Sequence, residues 1–232
     1  MNTQLPMPAE PNAAPLVSLR NLNVEFSANG MSIRVLHGLN LDVHVGESMG
    51  MVGESGCGKS VTWLAALGLL GSHAKVSGEF TLAGERFDGL DDQGLSKIRG
   101  RRIALISQDP ASALNPVQRV GTQLLEAIRL HKGLQGNDAL AHAARLLDQV
   151  HIPSARQRLQ SYPHEMSGGM NQRVMIAMAL AGEPELLIAD EPTTALDMTI
   201  QAQILNLLGE VRRDQKMAMV LISHDLSVIA QE

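Results

Sequence analysis

Cysteine is nearly missing from this chain: Cys57 is the only one. That excludes an intrachain disulfide framework and any cluster that draws several thiolates from one chain. Aromatic residues are almost as scarce, with three Phe, one Tyr and one Trp, so stacking against a planar ligand falls to very few positions. Positive charge is not in excess either. The chain has 19 Lys and Arg against 24 Asp and Glu, a net charge of −5 without any long basic run, which argues against a nucleic-acid partner. No apolar stretch approaches the roughly 20 residues of a membrane span. Residues 1–8 carry neither the basic nor the apolar part of a secretory signal. The expectation is a chain made and kept in the cytosol, which reaches a membrane only through a partner. A length of 232 residues suits one α/β domain with an insertion better than two independent domains.

What is present centres on residues 51–60. Gly53, Glu54, Ser55, Gly56, Cys57, Gly58, Lys59 and Ser60 fit the spacing G-x-x-x-x-G-K-[ST]. Glycines let backbone N–H groups turn inward around phosphate oxygens, and Lys59 adds a cation at the β- and γ-phosphates. The Ser60 hydroxyl suits Mg²⁺, and the helix that begins near Val61 offers its N-terminus to the anion. The flanks agree: residues 47–52 read as a short buried strand, and residues 61–67 as a helix without a breaker until Gly68.

Upstream, residues 1–15 hold four prolines and no apolar periodicity, and read as a flexible lead-in. Residues 16–26 alternate as a strand broken near Arg20 and Asn21, followed by a turn at 27–30 with Asn29-Gly30 as its hairpin signal. Strands continue over 32–37 and 39–45. Phe26 is the one aromatic ahead of the phosphate loop placed to stack on a purine; an ordinary core role at a strand end is equally compatible.

Downstream, residues 78–84 and 102–107 read as strands, the second leading to Gln108, which by itself is an ordinary loop residue. Residues 137–150 place Leu140, Ala143, Ala144, Leu147 and Val150 on one helical face, with Asn137-Asp138 as cap-like chemistry. The block 109–183 therefore reads as a helical insertion in an α/β sheet. Residues 186–191 form an apolar run that ends in Asp190 and Glu191, and residues 217–222 form another that delivers Ser223, His224 and Asp225. Beside the phosphate-loop strand, the ends of these runs would face bound nucleotide. One acid would hold Mg²⁺, and the next would orient or deprotonate an attacking water.

At this point the chain resembles the ATP-binding-cassette ATPases. Ser167-Gly168-Gly169, preceded by Tyr162-Pro163-His164-Glu165-Met166 and followed by Gln172-Arg173, looks like their signature loop. The other motifs stand in family order: the loop at 53–60, Gln108, Asp190-Glu191, Ala195-Leu196-Asp197 and His224. Finer features, including Leu114-Asn115-Pro116 and Met170, resemble the peptide/nickel importer branch. The resemblance implies a P-loop NTPase core with an N-terminal antiparallel β region and an inserted α-helical subdomain. It implies ATP and Mg²⁺ as cofactors, with Ser60 and Gln108 at the metal and Asp190 reaching it through water. It makes Glu191 the catalytic carboxylate and His224 the γ-phosphate sensor, with Gln108 joining them as a catalytic residue. It assigns Ser167, Gly168, Gly169 and Asp197 to the nucleotide of a second cassette, in a homo- or heterodimer. The further partners it implies are integral membrane permeases facing residues 109–120 and, indirectly, a substrate-binding protein, with the chain held peripherally at the cytoplasmic face of the inner membrane.

The resemblance also sets domain bounds: a lead-in over 1–15 and a cassette over 16–232, whose β core is 16–108 with 184–232 and whose helical subdomain is 109–183. Two departures stand out. Asn171 occupies a usually basic position, and the chain stops at Glu232, where the family normally continues through more strands, as expected of a fragment or a natural short form. Two other readings remain: a cassette ATPase acting on nucleic acid or ribosomes, and a non-catalytic remnant that binds nucleotide without turnover.

Overall fold

The computed structural model describes residues 14–28, 31–107, 113–193 and 198–224. Two sheets carry the architecture. The first is antiparallel in the order β2-β1-β4-β5, formed by β1 (Val17–Ala28), β2 (Met31–Val43), β4 (Ala74–Leu82) and β5 (Glu85–Arg86). The second is parallel in the order β3-β8-β7-β6, formed by β3 (Ser48–Val52), β8 (Ala218–Ser223), β7 (Leu186–Asp190) and β6 (Ile103–Ile106). Helix α1 (Lys59–Ala66) follows β3, and α2 (Asp92–Ser96) precedes β6. The helical layer comprises α3 (Val120–Lys132), α4 (Gly136–Gln149), the short α5 (Ala155–Arg158) and α6 (Gly168–Leu180), and α7 (Met198–Gln215) connects β7 to β8.

Alternation along the parallel strands explains the layering, because successive side chains point to opposite faces. Ala104, Ile106, Leu187, Ala189, Met219 and Leu221 enter one core with the buried faces of α3, α4, α6 and α7. Their neighbours Ile103, Leu186, Ile188, Val220 and Ile222 enter a second core with Trp63 of α1 and the inner face of the antiparallel sheet. A strand buried on both faces reads as a continuous apolar run, which is why residues 186–189 and 217–222 are legible without any alternation.

The break expected at Arg20-Asn21 is a bulge within one continuous strand. Asn21 adopts φ 50°, and the pairing of β1 with β4 slips between Arg20 and Asn23. Gly78 faces that slip from β4, where a Cβ would stand 2.9 Å from the Arg20 carbonyl oxygen. Strand β4 accordingly runs through Gly78 from Ala74, earlier than the glycine-bounded reading. The turn residues Asn29-Gly30 lie outside the described residues, although Ala28 pairs with Met31.

In α4 the buried residues include Ala139, Ala143, Ala144, Leu146 and Leu147. Ala143, Ala144, Leu147 and Val150 are buried as read, but Leu140, expected with them, is exposed, and the N-terminal end of the stripe is Ala139 instead. The cap is at Gln135, with no side-chain bond, so Asn137-Asp138 belong to the first turn instead.

Candidate active site

Parallel pairing puts three sequence motifs on one edge of the second sheet. Val52 lies opposite Ser223, and Asp190 opposite Ile222. The phosphate loop, the two acids and His224 therefore all leave the C-terminal ends of neighbouring strands, the place where open α/β sheets bind ligands.

The loop has the shape its glycines permit. Gly56 and Gly58 sit at φ 80° and 100°, in the left-handed region that favours glycine. Gly58 is also the N-cap of α1 and supplies no side-chain acceptor, so the helix presents uncapped N–H groups and its positive dipole end. Lys59 is buried, and its Nζ donates to the carbonyl oxygens of Gly53 at 2.6 Å and Glu54 at 2.9 Å. The amine thus folds back over the loop and closes it. Cys57 Sγ lies 3.7 Å from the same amine and is exposed. The antiparallel sheet reaches the loop from the side: a Cβ on Gly58 would meet Leu36 Cδ2 at 2.6 Å. No local pattern in the sequence announces that contact. Phe26, on the same sheet, is half-buried and packs against the second core.

Ser60, in the first turn of α1, lies close enough to the Asp190 carboxylate to favour its charged form. Burial pushes the Asp190 pKa up, and Glu191 adds to the rise, while the Ser60 hydroxyl and the Lys59 cation oppose it. Glu191 takes φ 45°, unusual for a residue with a Cβ. Its N–H donates to Ile222 O at 3.0 Å, which fixes the turn. His224 Nδ1 lies 3.4 Å from Glu191 Oε1, with the imidazole exposed and the carboxylate only 17% exposed. Gln108 and Asp197 lie outside the described residues.

Ser167, Gly168 and Gly169 stand apart from this edge, at the start of α6. The Ser167 side chain caps its own helix by accepting from Met170 N at 3.3 Å. Ser167 and Gly168 are exposed, whereas Gly169 is buried, where a Cβ would stand 3.0 Å from Ile200 Cγ2 of α7. Among the described residues no hydrogen bond or ion pair connects the three to residues 53–61. Asn171 Nδ2 donates to Pro163 O at 3.0 Å, so the departure from a basic residue ties the helix to the turn before it. Sequence reasoning did not find Gln123, a buried side chain that bonds Asn115 N and O at 2.8 and 3.0 Å. A single Gln inside an amphipathic helix carries no signal of such a tether.

A glycine-rich loop closing on a helix N-terminus, with acids at the end of β7 on the same sheet edge, defines a phosphate-binding α/β protein. The chain belongs to the ABC transporter family, whose model matches residues 36–194. It is 47% identical over 222 residues to the oligopeptide transport ATP-binding protein OppD of Escherichia coli, covering 96% of this chain and 66% of that protein. It is 46% identical over 228 residues to OppD of Salmonella typhimurium, covering 98% and 67%. The chain thus spans about two thirds of the length of these relatives. Among solved structures it is similar to the ATP-binding cassette MJ0796, captured as a dimer in a post-hydrolysis state bound to ADP and Pi. The TM-score is 0.80 with 29% identity, covering 92% of this chain and 90% of that one. Among the described residues no helix is long and apolar enough to cross a membrane.

Proposed function

We propose that this chain is the ATP-hydrolysing subunit of an importer for peptides or a related small solute. The observation that carries the reading is the convergence of the Lys59 loop, Ser60 beside Asp190, and the Glu191–His224 pair on one sheet edge. The similarity to OppD over nearly the whole chain supports the choice of solute class.

In this reading the backbone of residues 53–61 and Lys59 hold the β- and γ-phosphates, and Phe26 lies toward the base. Lys59 exchanges its two loop carbonyls for phosphate oxygens, a trade of neutral for charged acceptors. The residues present also fit Mg²⁺, which takes few protein oxygens and keeps phosphate and water ligands. Ser60 and Asp190 supply such a pair, with Gln108 as a third, and among the described residues no cluster of three or more His, Cys, Asp or Glu competes for it. Bound Mg²⁺ would neutralise charge on the phosphates. Glu191 orients and deprotonates the attacking water, its carboxylate steadied by the unusual backbone turn and by His224, which also reaches toward the γ-phosphate.

Ser167, Gly168, Gly169 and Asp197 serve the nucleotide of a second cassette, and ATP joins the two. Exposure of Ser167 and Gly168 at a helix N-terminus supports that assignment, because the anion site faces outward. We further infer a division into a β core at 16–108 and 184–232 and a helical subdomain at 109–183. The chain would sit peripherally at the cytoplasmic face of the inner membrane, against permease subunits served by a substrate-binding protein. Light scattering of the Glu191→Gln variant tests the assembly: Mg-ATP should double the mass. No ATP-dependent change at any salt concentration would count against the shared site.

A further inference from the structure

At the opposite edge of the parallel sheet from the phosphate loop, where β6 and β7 begin, lies a cleft of about 610 Å³. One wall is the segment between α2 and β6, with Lys97, Arg101 and Arg102. The other is the end of α3, with His131 and Lys132, and the turn after α6, with Gly182 and Glu183. The walls touch at their backbones, since a Cβ on Gly182 would collide with the Gly100 carbonyl.

Charge in the cleft is unevenly matched. Arg102 Nε bonds Glu185 Oε1 at 2.5 Å and its Nη1 approaches Glu85 at 3.7 Å, and Lys132 Nζ bonds Glu183 Oε2 at 2.5 Å. Both lining carboxylates are thereby answered. Lys97 and Arg101 have no carboxylate partner among the described residues. Four cations against two carboxylates leave an excess of two on the lining, in a chain whose net charge is −5. Burial, and then the nearby Arg101, hold the His131 imidazole below its usual range. It is therefore neutral at physiological pH and has one N–H to donate.

We propose that this cleft is a second anion site, which takes a phosphate-bearing ligand of at least two negative charges. Arg101 and Lys97 supply the charge, and His131 a neutral donor. Arg102 and Lys132 stay pinned by their own carboxylates and shape the walls. A guanidinium fork matches phosphate oxygens in a bidentate way, and the ammonium adds a mobile point charge. A ligand there would bridge the start of β6 to the end of α3. The site shares no residue with the nucleotide edge and does not depend on the function proposed above.

Inorganic pyrophosphate is the probe, titrated calorimetrically into the full chain with ADP saturating, so that the phosphate loop is already filled. The wild type should show one saturable site that weakens as salt rises. The Lys97→Ala/Arg101→Ala double variant should bind pyrophosphate at least about tenfold more weakly, as expected for two lost charged contacts, with unchanged ADP affinity. Both side chains are exposed, and an unchanged melting temperature of the variant confirms its fold. A parallel arm uses phosphatidylcholine vesicles with and without phosphatidic acid. Binding that needs phosphatidic acid and both side chains, without pyrophosphate binding, would name a lipid headgroup as the source of the same phosphate. No saturable binding in either arm, or binding that the double variant retains in full, would overturn the proposal.

Discussion

His224 Nδ1 stands 3.4 Å from Glu191 Oε1, across the ends of two adjacent parallel strands. The pair joins a mostly buried carboxylate to an exposed imidazole, so the acid is held in place while the histidine stays open to a ligand. Replacing Glu191 with Gln keeps shape and hydrogen bonding but removes the carboxylate proposed as the base. Turnover should fall by about 10²–10⁴-fold, the usual weight of a positioned general base, with Mg-ATP affinity nearly unchanged. Wild-type turnover in the Glu191→Gln variant, measured beside nucleotide affinity, would remove Glu191 from the catalytic role.

Asp190 should show itself in the pH dependence of stability. Its pKa is raised from the usual 3.8, chiefly by burial, so the folded state holds its proton more tightly than the unfolded chain. Its contribution is favourable below the ordinary carboxylate range and is lost as pH rises through the raised value. Asp190→Asn should therefore melt higher than the wild type at neutral pH. The gain should vanish at low pH, and Mg²⁺-dependent binding should be lost. Equal melting curves for the two proteins at pH 7 would show that the carboxylate carries no burial cost.

Gly182 should tolerate no side chain. A Cβ there collides with backbone, the Gly100 carbonyl and Arg101 Cα, which cannot rotate away. Gly182→Ala should cost about 1–3 kcal/mol, as overpacking does. Gly71, with nothing within 4 Å of its would-be Cβ, is the control and should change little. Chemical denaturation of both variants makes the comparison, and equal midpoints would contradict the close approach.

Cys57 offers a direct probe of the loop. It is the only thiol in the chain, exposed, and 3.7 Å from Lys59 Nζ. A maleimide should label the chain once and abolish nucleotide binding, and Mg-ATP should slow the labelling. Cys57→Ser should bind ATP normally and resist the reagent. Peptide mapping follows the adduct, and an identical labelling rate in saturating ATP would separate Cys57 from bound phosphate.

Local patterns in the chain were enough for the phosphate loop, the buried strands β6, β7 and β8 and the helices α3, α4 and α6, whereas β3, read as buried, is half-exposed at the end of the described sheet. Each of these depends on spacing or on unbroken apolar runs, and such signals survive in one dimension. Residues 53–60 need their glycines whatever surrounds them, and residues 186–189 must be apolar because both their faces are covered. Strand order was not legible. That β8 enters between β3 and β7, and so sets His224 beside Glu191, follows from pairing across long sequence separations. The same holds for Leu36 against Gly58, Gln123 tethering Asn115, and Leu140 turning outward while Ala139 turns in. Only the packed chain decided these, because a side chain's environment is set by whichever element arrives opposite it, and neighbours in sequence carry no record of that arrival.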